Sequence, residues 1–170
     1  MQLTQHQLVT AAHDLRNAAM VIKHAGHFQG SLVDYASGSV CAVGAIELAT
    51  YKTLVTRTFS MSPSAGFMGL SLHHDDPGLF RCEAAITVLA DMIPTGLCSS
   101  CDPEASCECG CKNTREMEPF DLVTHYNDQH CTGDKVAINM MRLAADKAEA
   151  TADSRRQALE DFRVSELVGV

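Results

Sequence analysis

The chain has 170 residues, a formal charge of −8 and 46% hydrophobic residues, but only 5% aromatic residues and no Trp. That length suits one domain with a single core, and a core poor in aromatics has to be built from Ala, Leu, Val, Ile and Met, which favours helices over a sheet sandwich. The acidic balance excludes a broad phosphate-binding surface; Lys112, Arg115 and Arg155-Arg156 are too few to make nucleic acid an expected partner.

The expected fold class is therefore mainly α, a compact single helical domain over 1–170 with about five helices. A cysteine-rich loop is inserted at 97–113, and the C-terminal helix partly projects over 146–170. No run approaches the roughly 20 apolar residues of a membrane span. Met1-Gln2-Leu3-Thr4-Gln5-His6 is not a basic segment leading into an apolar one, so the expected compartment is cytoplasmic.

The first helix is expected over 4–24. Thr4 and Gln7 have the spacing of a capping box, and Leu8, Ala11, Ala12, Leu15, Ala18, Ala19 and Ile22 recur at helical period. Gly26 is a suitable stop, and His13 and His24 fall on the polar edge. Residues 27–39 alternate in character and read as an irregular connector or short strand, with Phe28, Leu32 and Tyr35 tucked inward.

A central helix is expected from about 40 to 57, capped by Ser39. Its start is unusually small in side chain: Cys41, Ala42, Gly44 and Ala45. Glycine inside a helix costs about 1 kcal/mol against alanine, so Gly44 predicts a close approach of another element. Residues 58–76 read as a loop, and Asp76-Pro77 as a helix start. The third helix then runs to about 92, with Leu79, Cys82, Ala85, Ile86 and Leu89 inward. Pro119 opens a short helix ending near Tyr126. A turn over 125–133 leads to a last helix from Asp134, whose expected apolar stripe is Val136, Met140, Leu143, Ala144 and Ala148.

Cys98, Cys101, Cys107, Cys109 and Cys111 crowd one short segment that has almost no core of its own. In a reducing compartment such crowding suggests metal more than disulfides. Zinc takes four thiolates in a tetrahedron at about 2.3 Å, so four of these five would form a closed, structural site. Disulfides, or a loop without metal, are the alternatives.

Cys41, near a helix N-terminus, invites a nucleophile reading with His125 and Asp128 as partners, since a helix N-terminus lowers a thiol pKa. The preferred reading is a small buried residue, because no cysteine-hydrolase signature surrounds it. His125, Asn127, Asp128, His130 and Cys131 could bind a ligand, but such residues more often shape a turn. His73-His74-Asp75-Asp76 is open to the same choice, and helix capping accounts for Asp76.

Phe28-x-Gly30-x-Leu32, Gly38-x-Val40-Cys41-Ala42-x-Gly44-Ala45-Ile46, Tyr126-Asn127-Asp128 and Lys135-Val136 together resemble a family of small proteins from actinobacteria and their bacteriophages. Two departures stand out: Tyr126 replaces the tryptophan usual before Asn-Asp, and the cysteine loop looks like an insertion. The resemblance implies an all-helical fold, a phage or actinobacterial origin, and a meeting of Cys41, Asn127 and Asp128 in space. It implies no chemistry.

The function expected from all of this is a binding module for a host protein or small ligand. Its ligand-contacting residues would be Cys41, Tyr126, Asn127 and Asp128. Zinc would serve as a structural cofactor, and the C-terminal helix could make a homo-oligomer. The rivals are a cysteine-dependent hydrolase or transferase and a zinc-containing nucleic-acid-associated protein.

Overall fold

Both ends of the first helix, α1 (Gln5–Ala25), are set by local chemistry. The Thr4 hydroxyl accepts the Gln7 N–H at 3.2 Å while the Gln7 side chain accepts the Thr4 N–H at 2.8 Å, which completes the capping box. Gly26 ends the helix at φ +89°, where its N–H reaches back to the Ile22 carbonyl at 2.8 Å. The computed structural model describes residues 2–30, 32–51, 77–94, 114 and 117–168. Among these the remaining helices are α2 (Ala42–Tyr51), α3 (Pro77–Ala90), α4 (Pro119–Gln129) and α5 (Asp134–Val168), and there is no strand beyond two isolated bridges. The mainly helical expectation therefore holds.

α1 packs against α5, α2 and α3, so the first helix, not the second, is the middle of the bundle. α1 and α5 run antiparallel. At one end the His27 N–H donates to Asp134; at the other Arg155 donates to the Leu3 carbonyl. The seam is lined by Ala11, Ala12, Leu15, Ala18, Ala19 and Ile22 from α1 and by Ala137, Met141, Ala144, Ala145, Ala148 and Ala152 from α5. Of the stripe expected on α5, Ala144 and Ala148 are buried and Met140 is half-buried against the core, and the seam is filled out by alanines on both helices. Val136 and Leu143 are exposed, although their spacing predicted an inward position. Arg16 adds a surface clasp to Asp146 (2.8 Å) and Glu149 across this seam, a half-exposed arrangement contributing no more than about 1 kcal/mol.

α3 buries Cys82, Ala85, Ile86 and Leu89 as expected, with Leu79 half-buried. A half-buried ion pair joins it to α1: Arg81 donates through Nε to the buried Asp14 at 3.0 Å and through Nη2 to the other oxygen. Beyond Arg155, α5 outruns the body, and every residue from 156 to 164 is exposed, Leu159, Phe162 and Val164 included.

Three sequence expectations are corrected. Ser39 does not cap α2; its hydroxyl donates to the Ala25 carbonyl at 3.1 Å, and Cys41 holds the cap position. Tyr35 is 82% exposed instead of tucked inward, because it stands on a tight turn closed by Gly38 N–H to the Asp34 carbonyl at 2.7 Å. The turn expected at 125–133 is helical as far as Gln129, so Asn127 and Asp128 lie in the last turn of α4. Residues 52–57 of the expected central helix, the His73-His74-Asp75-Asp76 cap, Lys112, Arg115 and Cys98, Cys101, Cys107, Cys109 and Cys111 lie outside the described residues.

Candidate functional site

The start of α2, the connector before it and the end of α4 converge on one side chain. Cys41 takes the cap position: its carbonyl accepts the first helical bond, from Ala45 at 2.9 Å, and its Sγ accepts the Gly44 N–H at 3.3 Å. The Leu32 carbonyl accepts the Cys41 N–H at 3.1 Å. That same carbonyl presses on Gly44, where an added Cβ would lie 2.3 Å from its oxygen. The close approach predicted at Gly44 is real, and the neighbour is the connector's backbone.

Asn127 closes the arrangement. Its Oδ1 accepts the Ala42 N–H at 2.9 Å, a free donor of the first turn of α2, and faces His27 Nε2 at 2.8 Å. Its Nδ2 donates to the Phe28 carbonyl at 3.1 Å and to Asp128 Oδ1 at 2.9 Å. The amide can take only this orientation, since a flip would set an N–H against the Ala42 N–H and an oxygen against two acceptors. With Oδ1 as acceptor, His27 must carry its proton on Nε2.

Asp128 also accepts the Gly30 N–H at 2.8 Å, at a φ of +116° that favours glycine. Gln29 Nε2 donates to the Asn127 carbonyl at 3.2 Å and to the Cys131 carbonyl at 2.9 Å, satisfying acceptors at the end of α4. Four bonds on Asn127, which is only 2% exposed, make this a polar clasp with no free valence.

Of the residues singled out in the sequence, Cys41, Asn127 and Asp128 meet here. Tyr126 is half-buried beside them, its ring 5.4 Å from that of His130. The histidine at Asn127 is His27; His125 stands edge-on to His130, with ring centroids 5.8 Å apart. Burial pushes the Cys41 thiol up to about 11, overriding the lowering by the Gly44 and Val43 N–H groups, and the carboxylates of Asp128 and Glu47 raise it further. A nucleophile needs the opposite shift. Cys82 and Cys131 are likewise buried thiols whose pKa is raised, mainly by burial. Among the described residues no group of three or more His, Cys, Asp or Glu side chains is placed to hold a metal. Sequence reasoning missed His27, Gln29 and Asp134; the one signal for the first two was their position beside Phe28 and Gly30.

These elements define an all-helical protein whose connector is clasped to α4 by Asn127 and Asp128. The chain belongs to a family of unknown function, DUF6197, whose model matches residues 6–147. No curated protein and no solved structure matches it. The match covers every residue of the clasp. Among the described residues no helix is long and apolar enough to cross a membrane.

Proposed function

We propose that this protein acts by binding and not by catalysis. It would be a small accessory protein, of the phage or actinobacterial kind its motifs resemble, that engages a host protein or small ligand in the host cytoplasm. The observation that carries this reading is the saturation of the Cys41, His27, Asn127 and Asp128 network: each polar valence of Asn127 goes to the chain itself, and the thiol is held protonated. A hydrolase or transferase using Cys41 would need a populated thiolate and a histidine aimed at it. In this reading Asn127 and Asp128 shape the protein and are not offered to a ligand. The exposed end of α5, with Leu159 and Val164, supports a surface for a partner or for a second copy of the chain. Four of Cys98, Cys101, Cys107, Cys109 and Cys111 would hold a structural zinc, a reading supported by their spacing alone.

The test is site-resolved alkylation of the native protein with iodoacetamide across pH. Cys41 is expected to react slowly, with an apparent pKa above the roughly 8.5 of a free thiol. Fast labelling at neutral pH would restore the enzyme reading. Elemental analysis of the same preparation should find about one zinc per chain, and labelling of all five clustered cysteines in a metal-free protein would remove the zinc.

A further inference from the structure

Away from the clasp, at the far end of α1, a groove between α1 and α3 widens into a cavity of about 480 Å³ lined by His6, Gln7, Thr10, Pro77, Phe80, Arg81 and Ala84. That volume lies within the range of small-molecule sites. His6, Thr10 and Asp14 follow one another at four-residue spacing along α1, so they form a single row facing Pro77, Arg81 and Ala84 of α3. Ala84, buried and small, gives the groove its depth, while Pro77 and the half-exposed Phe80 supply an apolar wall.

Arg81 is the organised group. Asp14, with no exposed surface, engages Nε and Nη2 of a guanidinium whose side chain is still 41% exposed. A guanidinium carries five N–H donors in a fixed plane, and two bonds to Asp14 leave three for a ligand. The carboxylate is sealed behind the cation, so the cavity meets the positive side of the pair. Because Asp14 holds the plane, little rotamer entropy remains to be lost on binding.

From this geometry we infer that the α1–α3 cavity is a binding site for an amphipathic monocarboxylate, its apolar body against Phe80 and Pro77 and its carboxylate on the outward N–H groups of Arg81. The inference rests on the reading of the chain as a binding protein and names a ligand class for it. A single pinned guanidinium beside an apolar wall suits one negative charge on a hydrophobic frame. A phosphate dianion would call for more cations than the described lining holds.

The probe is 1-naphthylacetate, followed by its own fluorescence anisotropy on the full chain, with neutral 1-naphthylacetamide as comparator. Saturable one-to-one binding is expected for the acid, with the amide weaker by roughly tenfold, the worth of a charge-assisted hydrogen bond. Arg81→Gln alone would strand a buried carboxylate, so the informative variant is the pair Asp14→Asn with Arg81→Gln. It should lose the preference for acid over amide. Phe80→Ala should weaken both probes and keep that preference. Equal binding of acid and amide, no saturable binding, or wild-type affinity in both variants would each overturn the site. The Cys41 labelling experiment is untouched by any of these results, so loss of the site and loss of the binding reading are told apart.

Discussion

Two buried polar side chains meet α2 and are handled in opposite ways. Asn127 arrives from α4 at the helix's first N–H and has four hydrogen bonds. Glu47, in the middle of α2 and 3% exposed, has no hydrogen bond or ion pair to its carboxyl among the described residues. The Thr50 hydroxyl, one turn further along α2, turns back to the Ile46 and Glu47 carbonyls at 3.0 and 3.1 Å. Burial alone pushes the Glu47 carboxyl up to about 7. A neutral amide whose partners have fixed directions can be built into a core at little cost. A carboxyl with none must instead give up its charge near neutrality. The same charge, when present, opposes ionisation of the Cys82 thiol on α3 and of Cys41, so the interior between α1, α2 and α3 works against negative charge.

Breaking the satisfied side should have the largest effect. Asn127→Ala orphans the Ala42 N–H and the Phe28 carbonyl, each worth about 1–3 kcal/mol when buried, so a loss of about 4 kcal/mol is expected. Urea unfolding measures it, and a loss under about 1 kcal/mol would mean that water replaces the amide. His27 should at the same time lose its Nε2–H preference, which nitrogen-15 chemical shifts of the ring report.

Glu47→Gln sharpens the other side, with the opposite sign. The folded protein holds the Glu47 proton from the unfolded value of 4.5 up to about 7. The stability that Glu47 contributes should therefore be fully present below about pH 4.5, fall as pH rises through that window, and level off above it. Relative to wild type, Glu47→Gln should be neutral near pH 4 and more stable by roughly 3 kcal/mol at pH 8. A difference between the two proteins that does not change with pH would show the carboxyl to be solvated.

Smaller effects bracket the comparison. Gly44→Ala sets a methyl against the Leu32 carbonyl and should cost about 2 kcal/mol of unfolding free energy despite the better helix propensity of alanine. An unchanged midpoint would mean that the connector yields freely. Leu159→Glu, on the exposed end of α5, should move stability by less than about 0.5 kcal/mol. Any larger loss, measured at two protein concentrations, would show that this end is covered by another copy.

How far the sequence could be read depended on the distance over which each cause acts. The ends of α1 were legible because Thr4, Gln7 and Gly26 act on backbone within one turn of themselves. Pro77 and Pro119 mark the starts of α3 and α4 for the same reason, since a missing N–H costs nothing at a first helical position.

The candidate site was legible only in part. The residues Cys41, Asn127 and Asp128 were singled out, but the role of Asn127 was not, because its partner at Ala42 lies 85 positions away. An Asn-Asp pair read by itself signals a turn, since both side chains compete for nearby backbone. Here Phe28, Gly30, His27 and Ala42 occupy those side chains, the competition disappears, and α4 continues through Gln129. The buried face of α5 was decided in the same way. Periodicity allowed Val136 and Leu143 as well as Ala137, Ala144 and Ala145, and the packing against the alanine face of α1 buries the smaller residues. Local backbone chemistry is written in neighbouring residues; which face is buried, and which polar group is satisfied, depends on what the rest of the chain brings to it.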